Sequence, residues 1–315
     1  MITPPKTFGA KALPARGPRG QAARILHKGE SGGLLLHSTI RQRPRAFAGR
    51  TLGRRPDLDG FLGRLASAPR RGLLIDYDGT LAPLIPDRRK AIPYPGVRAA
   101  LATIALAARP TSIWIVSGRT VADLATMIRL DRFVDLWGSH GAERRTRNGC
   151  WVGPAPSRAA GDLLDRAART LRDLGAGALV ERKLYGLALH GRGADRSLYL
   201  AARRAFVHGY AAPGEAVGLR FAAFDGGIEL RPEEFDKGRT VERAFMELGD
   251  DAAIAYLGDD ATDEDAFAVL GDRGLPVLVA PRPRPTFARA WLVPPAEVLG
   301  FLTDWGAACS RGGAA

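Results

Sequence analysis

The feature that most constrains this chain is an apolar run that ends abruptly in two acids. Gly72-Leu73-Leu74-Ile75 leads directly into Asp76-Tyr77-Asp78-Gly79-Thr80. An apolar run of this length without polar alternation predicts a strand buried on both faces, as in a parallel sheet. The carboxylates at 76 and 78, spaced i, i+2, then lie on the same side of the extended chain. They repel each other unless a cation sits between them.

The rest of the sequence supplies the helices that such a strand needs. A short helix is predicted over 58–65. Val97, Leu101, Ile104, Ala105 and Ala108 fall at helical spacing and predict a helix over 96–108. A second apolar strand over 113–116 ends at Ser117-Gly118-Arg119, and a helix follows through about Met127. A third strand over 133–137 ends at Gly138-Ser139-His140-Gly141. This alternation of strand and helix is the signature of a doubly wound α/β domain.

The middle of the chain reads differently. An amphipathic helix over 158–173 precedes two strands over 179–181 and 187–190. A helix over 195–209 precedes a hairpin over 219–224 and 227–230, turning at Asp225-Gly226. After Lys237 the first pattern resumes, with helices over 240–248, 263–270 and 295–304, strands over 253–257 and 276–279, and a loop over 281–285. The expected fold class is therefore α/β: a Rossmann-like doubly wound parallel sheet core over 58–143 and 233–305, with an α+β domain inserted over 144–232. A disordered tail is expected over 306–315.

Charge is unevenly distributed. The net charge is +13, but residues 1–56 hold twelve Lys or Arg against the single acid Glu30, so +11 of it lies there. The globular part is close to neutral. The basic segment is rich in Gly, Pro and Ala and lacks apolar periodicity, which predicts a disordered N-terminal extension over 1–57. It has no aromatic interleaving and no recognisable nucleic-acid fold, so no specific nucleic-acid partner is expected. Cys150 and Cys309 make no disulfide framework. No apolar run approaches a membrane span or a signal peptide. The expectation is a soluble cytoplasmic protein acting as a monomer, without a membrane partner.

Four polar features fall where strands end, which is where open α/β sheets place ligands. They are Asp76 to Thr80, Ser117-Gly118-Arg119, Lys237-Gly238, and Gly258-Asp259-Asp260-Ala261-Thr262-Asp263. A carboxylate can attack phosphorus, and a second one nearby can protonate a leaving alcohol and later deprotonate water. Asp76 and Asp78 fit those two roles. Mg²⁺ takes oxygen ligands and keeps several waters, which suits Asp76, Asp259 and Asp263, and Asp78 through its backbone carbonyl, as candidate ligands. A hydroxyl at Ser117 and an ammonium at Lys237 would receive the charge that spreads over a transferring phosphoryl group.

These elements, in this order, resemble the haloacid dehalogenase-type phosphatases. The resemblance implies an aspartyl-phosphate intermediate, Mg²⁺ dependence and a cap domain over the core, with Asp76 as nucleophile and Asp78 as acid/base. A narrower resemblance is to the trehalose-6-phosphate phosphatases. It is carried by Ser117-Gly118-Arg119, Gly138 to Glu143, Glu181-x-Lys183, His190-x-Arg192 and Glu229-x-Arg231-Pro232, and it covers about residues 60–305. Gly191 departs from it, because the family more usually has an aromatic residue there. The resemblance implies hydrolysis of trehalose 6-phosphate, with Arg119, His140, Glu143, Glu181, Lys183, His190, Arg192 and Glu229 contacting substrate. Two alternatives share these features: a phosphatase of the same type for sucrose phosphate or mannosyl-phosphoglycerate, and a non-catalytic sugar-phosphate-binding regulator.

Overall fold

The computed structural model describes residues 56–130, 132–146 and 148–310. The basic extension expected over 1–57 lies outside them, except that helix α1 (Pro56–Ser67) already begins at its end.

The core sheet is built on β1 (Arg71–Asp76), all six residues of which are buried. Leu73 and Ile75 face one apolar cluster and Leu74 the other, so helices must cover both faces. On one face lie α1, α2 (Val97–Leu106), α3 (Val121–Ile128) and α8 (Ala296–Ser310). On the other lie α6 (Lys237–Leu248) and α7 (Glu264–Leu270). The parallel strands are β2 (Ser112–Val116), β3 (Asp135–Gly138), β10 (Ala253–Gly258), β11 (Leu275–Val279) and β12 (Ala290–Leu292). Their order is β12-β11-β10-β1-β2-β3. Chain progression reverses between β10 and β1, so the topological switch point lies between the C-terminal ends that carry Asp76 and Asp259.

Two sequence boundaries are corrected. Strands β4 (Glu143–Thr146) and β5 (Gly149–Val152) form a hairpin that extends the core sheet antiparallel to β3. The core therefore continues past the expected limit at 143. Polar residues fill β4 and both strands lie near one edge, which removes the apolar signal by which the other strands are read. At the C-terminus, α8 runs to Ser310, with Gly306, Ala308 and Cys309 buried. Residues 306–310 thus belong to the core, and only 311–315 lie outside the described residues.

The inserted domain is a four-stranded antiparallel sheet of order β6-β7-β9-β8. Its strands are β6 (Val180–Arg182), β7 (Leu187–His190), β8 (Leu219–Phe224) and β9 (Gly227–Pro232). Helices α4 (Arg158–Asp173) and α5 (Arg196–Glu215) cover one face through Leu163, Leu164, Phe206, Phe221 and Leu230. Alternation along the strands then sends Ala188, Ala222 and Glu229 to the opposite face. There Glu181, Ala188, Glu229 and Ala222 are paired across the sheet as one row.

Candidate active site

The switch point holds a dense cluster of charge. Asp76 ends β1 and Asp259 follows β10, while Lys237 opens α6 after the cap. The Lys237 ammonium donates to Asp76 Oδ1 at 2.6 Å and to Asp263 Oδ1 at 2.7 Å. Asp76, Asp259 and Asp263 each place a carboxylate oxygen within 4.8 Å of the others. Three carboxylates face one ammonium, so the cluster has excess negative charge. Burial, followed by the charges of Asp263 and Asp78, pushes Asp76 up, against the opposing pull of Lys237. Burial and the carboxylates of Asp76 and Asp263 push Asp259 well above the ordinary range. A hard divalent cation relieves this imbalance, and the donor set is all oxygen.

Packing here is close. Gly79 has φ +86°, and a Cβ on it would lie 1.9 Å from Asp259 Oδ2. The glycine after Asp78 is required on both counts.

The structure separates the four expected metal ligands. Asp263 is fully buried and already accepts from Lys237, the Tyr256 hydroxyl and the backbone N–H groups of Asp259 and Asp260. It holds Lys237 and the 259–260 loop in place. Asp78 turns its carboxylate to Arg119, which donates from Nε at 2.7 Å and from Nη2 at 2.6 Å. Asp76 and Asp259 remain as the carboxylates that could hold a metal.

Ser117 and Lys237 line a cavity of about 440 Å³ together with Asp76, Asp78 and Asp259. Cap residues Glu181, Lys183, His190, Arg192 and Glu229 line the same cavity, as does His140 from the core. The cavity thus lies between the strand ends and the cap sheet. Lys183 donates to the Gly118 carbonyl at 3.0 Å and to Glu229 Oε1 at 2.9 Å. His140 Nε2 donates to Glu229 Oε2 at 3.0 Å. Burial first, then the Arg231 charge, lowers His140 to about 4, so its ring is neutral at pH 7. Its Nδ1 is buried without a partner. Ser139 and His140 both have positive φ, 49° and 57°, a backbone strain that concentrates at functional sites.

One expected substrate contact is corrected. Glu143 does not line the cavity; it accepts from Val121 N and the Ser139 hydroxyl, and so braces the 139–143 turn against α3. Arg119 does line the cavity, but its guanidinium is engaged by Asp78 and by the Arg88 carbonyl. Arg192 stands at the rim, paired with Asp225. Gly191 points away from the cavity: a Cβ there would meet the Tyr199 ring of α5 at 2.8 Å. The departure at 191 therefore concerns packing of the cap rather than the cavity wall.

Three participants are not among the expected site residues, although Asp260 lies within the fourth polar feature. Asp260 accepts from the N–H of Asp225, which joins the β8–β9 turn of the cap to the acidic loop. Arg284 donates to the carbonyls of Asp259 and Asp260 at 3.0 and 3.1 Å. Arg88 reaches both Glu181 and His190. Each is a charged residue in a polar loop, where sequence offers no sign that distinguishes a partner from a solvated side chain.

A parallel sheet with carboxylates at its switch point, an ammonium between them and a cap closing the cavity defines the haloacid dehalogenase-type hydrolase class. Comparison with known proteins narrows this. Residues 74–288 match the model of the trehalose-phosphatase family, and the chain belongs to that family. A trehalose-phosphate phosphatase of Mycobacterium marinum is 37% identical over 261 residues, covering 78% of this chain and 64% of the relative. The match thus spans just under two thirds of that relative's length. Among solved structures, the C-terminal domain of a C. albicans trehalose-6-phosphate phosphatase superposes with a TM-score of 0.70 at 26% identity, covering 82% of this chain and 99% of the other. The C-terminal domain of a Candida albicans trehalose synthase regulatory protein superposes with a TM-score of 0.59 at 14% identity, over 78% of this chain and 97% of the other. That second likeness speaks to the fold alone. No helix among the described residues is long and apolar enough to cross a membrane.

Proposed function

We propose that this chain hydrolyses trehalose 6-phosphate to trehalose and phosphate through a phosphorylated Asp76. The observation that carries the reading is the single cavity with Asp76, Ser117 and Lys237 on its floor and Glu181, Lys183 and Glu229 in its roof. Its volume, about 440 Å³, falls in the range of small-molecule sites.

In this reading the phosphoryl group lies against Ser117 and Lys237, and an Asp76 oxygen attacks phosphorus. The bond from phosphorus to the sugar oxygen breaks, and Asp78 gives that oxygen a proton. Asp78 then takes a proton from water, which attacks the aspartyl-phosphate and frees Asp76. The two bonds from Arg119 fix the orientation of the Asp78 carboxyl group. Mg²⁺ fits the site, with Asp76 and Asp259 as its protein carboxylates. When bound it would neutralise the excess negative charge and polarise the phosphoryl oxygens.

In the cap, carboxylates Glu181 and Glu229 stand in one row, separated by Ala188, whose small side chain leaves room between them. Each carboxylate has a cationic or imidazole partner, which suits recognition of a polyhydroxylated disaccharide bearing a dianion. All these groups come from one chain, so a monomer suffices. Cys150 and Cys309 are both free thiols, which supports a cytoplasmic, reducing location.

Phosphate release from trehalose 6-phosphate, sucrose 6-phosphate, mannosyl-phosphoglycerate and glucose 6-phosphate, with and without Mg²⁺, tests this reading. Trehalose 6-phosphate should be preferred, and chelation should abolish turnover. Preference for another ester, or no turnover of any, would contradict it.

A further inference from the structure

We propose that Arg88 is a positioning residue that fixes the cap over the sugar and so sets selectivity. The inference rests on the sugar-phosphatase reading above. Arg88 lies in a short 3-10 turn (Arg88–Lys90) between β1 and α2, outside the four polar features that mark the strand ends. Its guanidinium Nη1 donates to Glu181 Oε2 across the core–cap boundary and lies 3.3 Å from His190 Nε2.

The turn that presents Arg88 is itself anchored. Asp87 caps it by accepting from Arg89 N. The Tyr77 hydroxyl donates to the Ala91 carbonyl at 2.7 Å, and Ala91 is buried. Arg119 donates to the carbonyl of Arg88 itself at 2.8 Å while gripping Asp78 with the rest of its guanidinium. One residue therefore touches the acid/base network through its backbone and the cap through its side chain. A solvated surface arginine shows no such double attachment. Among the described residues, its neighbours Arg89 and Lys90, exposed at 90% and 79%, pair only with Asp87.

The consequences are directional. With Arg88 in place, Glu181 and His190 are held at the cavity wall as a preformed acceptor and ring for sugar hydroxyls. Without it, the cap loses a core-side attachment at the sugar end while the phosphate end keeps Lys183 on Gly118. Loss should therefore fall on the sugar-dependent part of catalysis.

The test compares wild type, Arg88→Ala, Arg88→Lys and Glu181→Gln on trehalose 6-phosphate and on p-nitrophenyl phosphate, which has no sugar for the cap to hold. For Arg88→Ala, the ratio of kcat/KM for trehalose 6-phosphate to that for p-nitrophenyl phosphate should fall about fivefold to tenfold, mostly through KM. Arg88→Lys should recover part of it. Adding Glu181→Gln to Arg88→Ala should cost less than the product of the two single effects. Amide exchange of the 187–190 strand should quicken in Arg88→Ala. An unchanged ratio, or equal loss on both esters with unchanged exchange, would overturn the role. If wild type prefers a different sugar phosphate, the reading of function fails. The Arg88 role is then still decided by the same ratio measured with that ester.

Discussion

The two halves of the cavity are built differently. On the core side, Asp76, Lys237 and Asp263 are each at most 4% exposed, and their bonds run within one domain. On the cap side, Glu229 and Lys183 are also buried, but Glu181 and His190 have side chains exposed at 31% and 27%, and several contacts cross from cap to core. The groups proposed for phosphoryl transfer are thus preorganised by the sheet itself, whereas those proposed for sugar recognition depend on how the cap is seated. Buried fixed charges need no rearrangement when charge develops on the phosphoryl group. Half-exposed pairs exchange readily with substrate hydroxyls, because a solvent-screened ion pair holds its partners weakly.

The sharpest way to break this contrast is Lys237→Ala. It leaves Asp76 and Asp263 buried without their ammonium, which should destabilise the fold by about 3–5 kcal/mol. It should lower kcat on trehalose 6-phosphate and p-nitrophenyl phosphate alike by roughly 10²-fold or more. Denaturant melts and parallel assays on both esters measure this. A loss confined to the sugar ester would merge the two halves.

Glu229→Gln comes next. Glu229 is held well below the usual carboxylate range: burial opposes this, but the Lys183 charge and the His140 hydrogen bond prevail. Removing its charge should cut kcat/KM for trehalose 6-phosphate by about tenfold or more, and p-nitrophenyl phosphate much less. Equal losses on both esters would show that Glu229 serves the phosphoryl step.

The smallest expected effect is on stability against pH. Folded His140 titrates at about 4 against 6.5 unfolded, because it is buried near Arg231. Between those values the unfolded chain binds more protons, so its contribution is intact above pH 6.5 and is lost progressively down to about pH 4. Glu181 follows: burial opposes ionisation, but His190, Lys183 and Arg88 lower it to about 2 from 4.5. Its contribution is present above pH 4.5 and is lost as pH falls towards 2. Melts at pH 7 and pH 5 should show wild type losing up to about 2 kcal/mol more than His140→Gln. Identical losses would mean that His140 is protonated in the folded state.

The same contrast governs what could be read from sequence. The core was legible because each group ends an element with its own signal: Asp76 an apolar strand, Ser117 and Asp259 two more, and Lys237 the return from the insert. Strand β12 is illegible because it is only three residues, Ala290–Leu292, too short for a period to show. At the core edge, motif membership does not reveal side-chain direction, so Glu143 groups with the sugar contacts in the sequence although it points into the 139–143 turn. Asp263 was grouped with the metal ligands because spacing alone does not count the hydrogen bonds a carboxylate already accepts. Arg88 was invisible because Asp87-Arg88-Arg89-Lys90 reads as a solvated charge run, and only the fold brings Glu181, 93 residues away, against it.

The central claim is that Asp76 becomes phosphorylated during turnover. Acid quench of the enzyme mixed with trehalose 6-phosphate and Mg²⁺, followed by mass spectrometry of the digest, tests it most directly. Phosphate should appear on the peptide that contains Asp76, at the level of a burst, and not in Asp76→Asn, whose turnover should fall by roughly 10⁴-fold. Turnover with no phosphorylated peptide, or phosphate on a peptide lacking Asp76, would contradict it.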